Sequence, residues 1–118
     1  MARKAASTKP QSTKALSPEA LQMVSARFKV LAEPARLALL NALMPGELSV
    51  NELVERTGMA QANVSKHLSM LCDAGFISRR KEGLFVRYSI ADVSVFQLCD
   101  LMCESIARKL GRDLKEIA

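Results

Sequence analysis

Three cysteines and one histidine carry whatever metal or nucleophilic chemistry this chain of 118 residues can perform. Cys99 and Cys103 are spaced i, i+4, which on a helix puts both sulfurs on one face with Cβ atoms about 5 to 6 Å apart. In a dimer packed through that helix, up to four thiols would approach the symmetry axis. That is enough to hold a thiophilic metal or metalloid ion such as arsenite, or to form reversible disulfides between subunits. Both residues also share an apolar stripe with Phe96, Met102 and Ile106, so burial as small hydrophobes is the competing reading. Cys72 joins them only if the fold brings it near. His67 lacks a second histidine, and a lone imidazole makes a poor metal site. No glycine-rich phosphate loop, nucleophile elbow or cysteine with a nearby histidine in sequence is present, so catalysis is not expected.

A second chemistry is recognition of a polyanion. Gln61, Ala62, Ser65, Lys66 and Ser69 fall on the polar side of a helical stretch whose apolar stripe is Val64, Leu68 and Leu71, and His67 in the same stretch is expected to be structural or to contact phosphate. Glutamine can pair bidentately with adenine, lysine reaches guanine acceptors or phosphate, and small residues let the backbone approach a groove. A basic segment follows with Arg79, Arg80, Lys81 and Arg87, suited to phosphates or the minor groove. A polar helix face alone is usually just solvated, and a charged hairpin often protects a strand edge. It is their succession that points to DNA.

The elements that must position these residues are legible from punctuation. Ser17-Pro18 starts a helix carrying Met23, Val24, Phe28 and Leu31; Pro34 starts a second, with Leu37, Leu40 and Leu43 expected inward until Pro45-Gly46 breaks it. Ser49 and Glu52 form a capping box for a short helix to Thr57, Gly58 supplies a turn, and a longer helix runs from about Ala60 to Ala74, ended by Gly75. The period then becomes alternating: Leu84, Val86, Tyr88 and Ile90 on one strand face, Phe85, Arg87 and Ser89 on the other. A turn at Glu82-Gly83 folds this strand onto Ile77 to Lys81. A last helix runs from about Asp92 towards Gly111. The expected fold is therefore mostly α with a small β-hairpin wing, a winged helix-turn-helix in the order helix, helix, helix, helix, strand, strand, helix.

Leu31-Ala32-Glu33-Pro34-Ala35-Arg36-Leu37, Glu47 to Leu53, Gln61 to Leu68, Leu71 to Gly75 and Gly83 to Tyr88, in this order, resemble the ArsR/SmtB family of bacterial repressors over roughly residues 20 to 110. The resemblance implies a homodimer built from the first and last helices and an inverted-repeat operator in double-stranded DNA. It also places Gln61, Ser65, Lys66 and His67 at the family's DNA-reading positions. Ala60 stands where the family often has a serine or threonine cap, a loss of about 1 kcal/mol of local stability. Other departures concern sensing. The cysteines of the family's third-helix metal box align with Ser49 and Asn51, the paired histidines of its last-helix zinc site have only His67 to draw on, and the second-helix cysteine of sulfide sensors aligns with Asn41. Cys99 and Cys103 remain as a candidate inducer site for a soft metal, a metalloid or an oxidant. The alternatives are a ligand-independent regulator with structural cysteines and a winged-helix protein-interaction module.

Size and charge fit this picture. With 49% hydrophobic residues the chain fills one modest core, and no apolar run approaches the ~20 residues of a membrane span. Without a signal-like segment the chain is expected in the cytoplasm with its odd number of cysteines reduced. Four of the five net positive charges, Arg3, Lys4, Lys9 and Lys14, lie in residues 1 to 16, which read as a basic, flexible tail ahead of a domain over 17 to 118. The rest of the chain is nearly neutral, so a DNA surface there depends on where charge is placed.

Overall fold

Two prolines at helix starts and four glycines with positive φ divide the chain into its elements. A computed structural model describes residues 14–113; the greater part of the expected tail lies outside the described residues. The order is α1 (Pro18–Leu31), α2 (Pro34–Leu43), β1 (Leu48–Ser49), α3 (Val50–Thr57), α4 (Gln61–Asp73), β2 (Ile77–Glu82), β3 (Phe85–Ile90) and α5 (Ser94–Leu110). Among the described residues no helix is long and apolar enough to cross a membrane.

The caps behave as their residue types dictate. Ser17 Oγ accepts from Ala20 N at 3.1 Å. Ser49 and Glu52 exchange bonds of 3.2 and 2.8 Å, the reciprocal capping box that satisfies two otherwise orphaned amides at the start of α3. Gly58, with φ of 74°, closes α3 in the left-handed conformation and lets the chain turn into α4 within three residues. Ala60 has the extended backbone of a cap residue but offers no side-chain acceptor.

The sheet has three antiparallel strands in the order β1-β3-β2, one more than the expected hairpin. β1 is only two residues long, pairing Leu48 with Tyr88 and Ser49 with Arg87, too short to leave an alternating pattern. Glu82 pairs with Phe85, so the turn is Gly83-Leu84 and not Glu82-Gly83. Gly83, with φ of 60°, takes the first loop position, where a two-residue hairpin turn demands positive φ.

Twelve apolar side chains form the core, including Leu39, Leu40 and Leu43 of α2, Leu53 of α3, Val64, Leu68 and Leu71 of α4, Phe76, Ile77 and Val95. Leu39 is fully buried, whereas Leu37, expected inward, is 38% exposed and faces α5 across an open cleft. Leu40 and Leu43 point inward as expected, and Leu39 takes the place of Leu37, because in a helix this apolar nearly every row carries a leucine or alanine. In α1 only Leu31 is buried; Met23, Val24 and Phe28 lie open.

Ala60 supplies a direct test of the capping account. Ala60→Ser should raise unfolding free energy by about 0.5 to 1 kcal/mol and Ser49→Ala should lower it by about 1 kcal/mol, read from urea midpoints at unchanged m. An Ala60→Ser protein no more stable than the parent would show that α4 begins elsewhere.

Candidate nucleic-acid interface

Val64, Leu68 and Leu71 are fully buried, and this fixes the rotation of α4 about its own axis. Gln61, Ala62, Asn63, Ser65, Lys66 and Ser69 are consequently exposed. The expected reading face is thus open, with short side chains flanking one glutamine and one lysine. His67 lies at its edge, half-buried, and is engaged from inside: Arg36 Nη1 donates to His67 Nδ1 at 3.1 Å. A guanidinium can only donate, so Nδ1 is the acceptor and the ring proton resides on Nε2. The same arginine donates to Val30 O at 2.6 Å, and its Nη1 lies 3.2 Å from Met70 Sδ. Arg36 therefore serves a terminal carbonyl of α1 while bracing α4.

The wing is balanced rather than uniformly basic. Arg80 stands directly opposite Arg87 across β2 and β3, an unfavourable like-charge pair unless acids intervene. They do. Arg80 makes a two-pronged bond to Glu47, at 2.7 and 3.1 Å, and lies 3.5 Å from Glu82. Arg87 donates to Glu82 at 3.0 Å and approaches Glu52 of α3 at 3.5 Å. The Arg80 guanidinium holds the Glu47 carboxyl below its usual range, and Arg87 with Arg80 does the same for Glu82. Glu52 is lowered first by its capping bonds to Ser49. Arg79 and Lys81 are exposed on β2 and, among the described residues, take part in no ion pair. At the tip Leu84 is 99% exposed.

The thiols are far less polar in setting. Cys99 and Cys103 are both half-buried and line one cleft of about 480 Å³ between α2 and α5, with Leu37, Leu40, Met44 and Phe96 as apolar walls and Asn41 on the α2 side. Burial pushes the Cys99 thiol above its ordinary range, with Cys103 and Asp100 adding to the shift. Cys72 packs separately against the core, and burial raises it too. The structure thus brings together two of the three cysteines. Among the described residues no three His, Cys, Asp or Glu side chains gather as a metal cluster.

A family model described as bacterial regulatory protein, arsR family, matches residues 33–79, which span α2 through the start of β2. The chain is 36% identical over 85 residues to the regulator NmtR of Mycobacterium tuberculosis, covering 72% of this chain and 71% of that protein. The chain belongs to the arsR family. It is 45% identical over 71 residues to a probable mercury resistance operon repressor of Streptomyces lividans, covering 60% of this chain and 57% of that relative, so less than two thirds of the latter's length is spanned. A solved homodimeric winged helix-turn-helix DNA-binding domain from Mycobacterium bovis superposes with a TM-score of 0.69 at 30% identity, over 85% of this chain and 94% of that one. As an arsR-family protein the chain is a winged-helix DNA-binding regulator of transcription, not an enzyme.

Two residues of this arsR-family fold escaped sequence reasoning. Arg36 and Arg27 each bridge segments distant in the chain; Arg36 is the one charged residue of an apolar α2, whereas Arg27 shares α1 with Glu19, Gln22, Ser25 and Lys29 and leaves no distinct signal. Arg27 Nη1 donates to Ala74 O at 2.6 Å and its Nη2 to Asp92 Oδ2 at 3.2 Å.

The acids at the wing root make stability pH-dependent in a definite direction. Glu47, Glu52 and Glu82 are held below the ordinary 4.5 in the folded state, so their contribution is complete above that pH and is lost as pH falls through the lowered values. Melting temperature should be flat from pH 7 to 5 and drop between pH 4.5 and 3. Glu47→Gln with Glu82→Gln should flatten the acid limb; an unchanged limb would place the acid sensitivity elsewhere.

Proposed function

We propose that two copies of this chain pair through α1 and α5 and repress transcription by laying their α4 helices into successive major grooves of an inverted-repeat operator. The observation that carries this reading is the division of the exposed surface. Val24 and Phe28 of α1 adjoin Leu98 of α5 around one shallow pocket, and Leu101 and Met102 of α5 are each more than 60% exposed. Contiguous apolar surface of this kind marks a protein interface. The polar face of α4 is open at the same time. The homodimeric relative supports the pairing, and the mercury operon repressor supports repression.

In this reading Gln61 and Lys66 reach base edges, and Ala62, Ser65 and Ser69 allow the close approach. His67 presents its Nε2 proton to a phosphate from the edge of the face. Arg79 and Lys81 supply the wing's phosphate contacts, while Arg80 and Arg87 first anchor the wing to Glu47, Glu82 and α3. The site of action is the cytoplasm, where the DNA is.

Binding to a duplex selected from random DNA should fall with salt at a log-log slope on the order of −5 to −9, as 6 to 10 phosphate contacts require. Gln61→Ala or Lys66→Ala should cost about 1 to 3 kcal/mol on that duplex and little on random sequence. Lys81→Ala should weaken both alike and reduce the slope by about 1. Anisotropy titrations that show equal losses on both duplexes for Gln61→Ala and Lys66→Ala would remove base reading from α4.

The inducer in this reading is a soft metal or metalloid ion at Cys99 and Cys103. A raised thiol carries little thiolate at neutral pH and reacts slowly with oxidants, whereas a soft ion displaces the proton as it binds. One protomer offers two sulfurs in the cleft between α2 and α5, a two-coordinate set that suits a thiophilic ion. Cys72, remote from the cleft, is structural. Mercuric ion or arsenite should release the wild-type protein from DNA and leave Cys99→Ser with Cys103→Ser bound. Release of the double variant, or no release of either, would discard the thiol site while leaving DNA binding intact.

A further inference from the structure

Arg27 lies in α1, outside the reading face, the wing and the thiol cleft but lining the pocket between α1 and α5, and its guanidinium meets three residues in two other segments. Nη1 donates to the carbonyl of Ala74, the C-cap of α4, at 2.6 Å. Nη2 donates to Asp92 Oδ2 at 3.2 Å, and the guanidinium carbon sits 4.3 Å from the centroid of the Phe76 ring. Each contact answers a specific need. The last carbonyls of a helix lack intrahelical donors and carry negative partial charge, so a cation at Ala74 satisfies both conditions. Phe76 is buried with its face available to a cation. Asp92 accepts from Ser94 N at 3.0 Å and so starts α5.

One planar fork thus joins the dimer helix α1 to the end of the recognition helix and the beginning of the second dimer helix. Lysine, a compact ammonium without a planar fork, would lose both the two-nitrogen spread between Ala74 and Asp92 and the stacking over Phe76. The exposed Arg27–Asp92 pair taken alone would be worth little, because water screens it. Its importance lies in geometry. α1 buries only Leu31 and packs Val30 beside it, so beyond the Arg36 link at the helix end Arg27 is the side chain that joins the middle of α1 to the end of α4.

We propose that Arg27 is a positioning residue that sets the angle of α4 against the α1 and α5 dimer face, and through it the half-site separation the dimer reads. This rests on the reading of a dimer on an inverted repeat. Arg27 is on none of the surfaces assigned to DNA, so its loss should disturb the relation between two reading heads and not the contacts of either one.

The experiment compares wild type with Arg27→Gln, Arg27→Lys and Asp92→Asn, the last retaining an acceptor for Ser94 while losing the charge. Each is titrated against an inverted-repeat duplex selected from random DNA by the wild type, the same duplex with one half-site scrambled, and versions with the spacer changed by one base pair. Arg27→Gln should bind the intact repeat about tenfold more weakly, remain within about twofold on the scrambled duplex, and suffer a smaller spacer penalty than wild type. Arg27→Lys and Asp92→Asn should lie between. Equal losses on intact and scrambled duplexes, or no loss on either, overturns the proposal.

Hydrogen exchange without DNA supplies a second readout. Protection of Gly75 and Phe76, whose amides bond back to Cys72 O and Leu71 O, should fall in Arg27→Gln while sedimentation still shows a dimer. Unchanged protection also overturns it. A wild type that selects no repeat would instead refute the underlying dimer reading, and the exchange result would still decide whether Arg27 holds the end of α4.

Discussion

Three side chains, Val64, Leu68 and Leu71, are buried completely, and from that constraint most of the molecule's functional geometry follows. A helix has one rotational degree of freedom about its axis, and a stripe at i, i+4 and i+7 removes it. Once the stripe points inward, Gln61, Ser65, Lys66 and Ser69 have to point out. The core that receives it is small, twelve residues. Each buried leucine in it therefore contributes a large share of the few kcal/mol separating folded from unfolded states. Even so, no polar or charged side chain is fully buried among the described residues, so none of this stability is offset by desolvated charge.

Placement of charge does the work that net charge does not. Arg80 and Arg87 face each other across the hairpin and would splay it if left alone. Glu47 precedes β1, Glu52 opens α3 and Glu82 closes β2, and these three carboxylates turn a repulsion into a brace. Glu52 has two tasks at once, capping α3 through Ser49 and attracting Arg87, so the wing is tied to the helix that precedes the recognition helix. A wing so anchored loses less conformational entropy when it meets a phosphate backbone than one that must be ordered on contact.

How much of this the sequence reveals depends on how local each cause is. Ser49 with Glu52, Gly58, Gly75 and Gly111 act within four residues of themselves, and they mark the ends of α3, α4 and α5 in the bare chain. The inward stripe of α4 is legible for the same reason, since its branched apolar residues, Val64, Leu68 and Leu71, fall on one row while Gln61, Ser65, Lys66 and Ser69 fill the opposite side. α2 is not, because Leu37, Leu39, Leu40 and Leu43 surround the helix and only packing decides that Leu39 goes in and Leu37 stays at the cleft. β1 is invisible because two residues carry no period, and the hairpin turn shifts by one because glycine suits either loop position. Arg27 and Arg36 are harder still. Their partners lie 47 and 65, and 31 and 34, residues away, and no local pattern encodes a bond across that distance. The bond from Arg36 to His67, a residue whose structural or phosphate-contacting role the sequence left open, is one of these.

The same long-range bonds bear on how a signal at the thiols would reach DNA. α5 contributes Val95 as its buried residue, so the helix is held mainly at its N-terminal end, by Val95 and by Asp92 with Arg27. Cys99 and Cys103 lie further along, one and two turns beyond that anchor, on the side facing α2, while Leu101 and Met102 occupy the outward side. An ion drawing the two sulfurs together acts on the weakly held part of α5, and the apolar surface moves with it. Because α2 holds α4 through Arg36 and α1 holds α4 through Arg27, a displaced α5 finds two separate connections to the reading face. A ligand shifts such an equilibrium only by its difference in affinity for the two arrangements. On the proposed reading, an ion held by two soft sulfurs on a lightly anchored helix would supply that difference if it also drew on a group of α2 across the cleft.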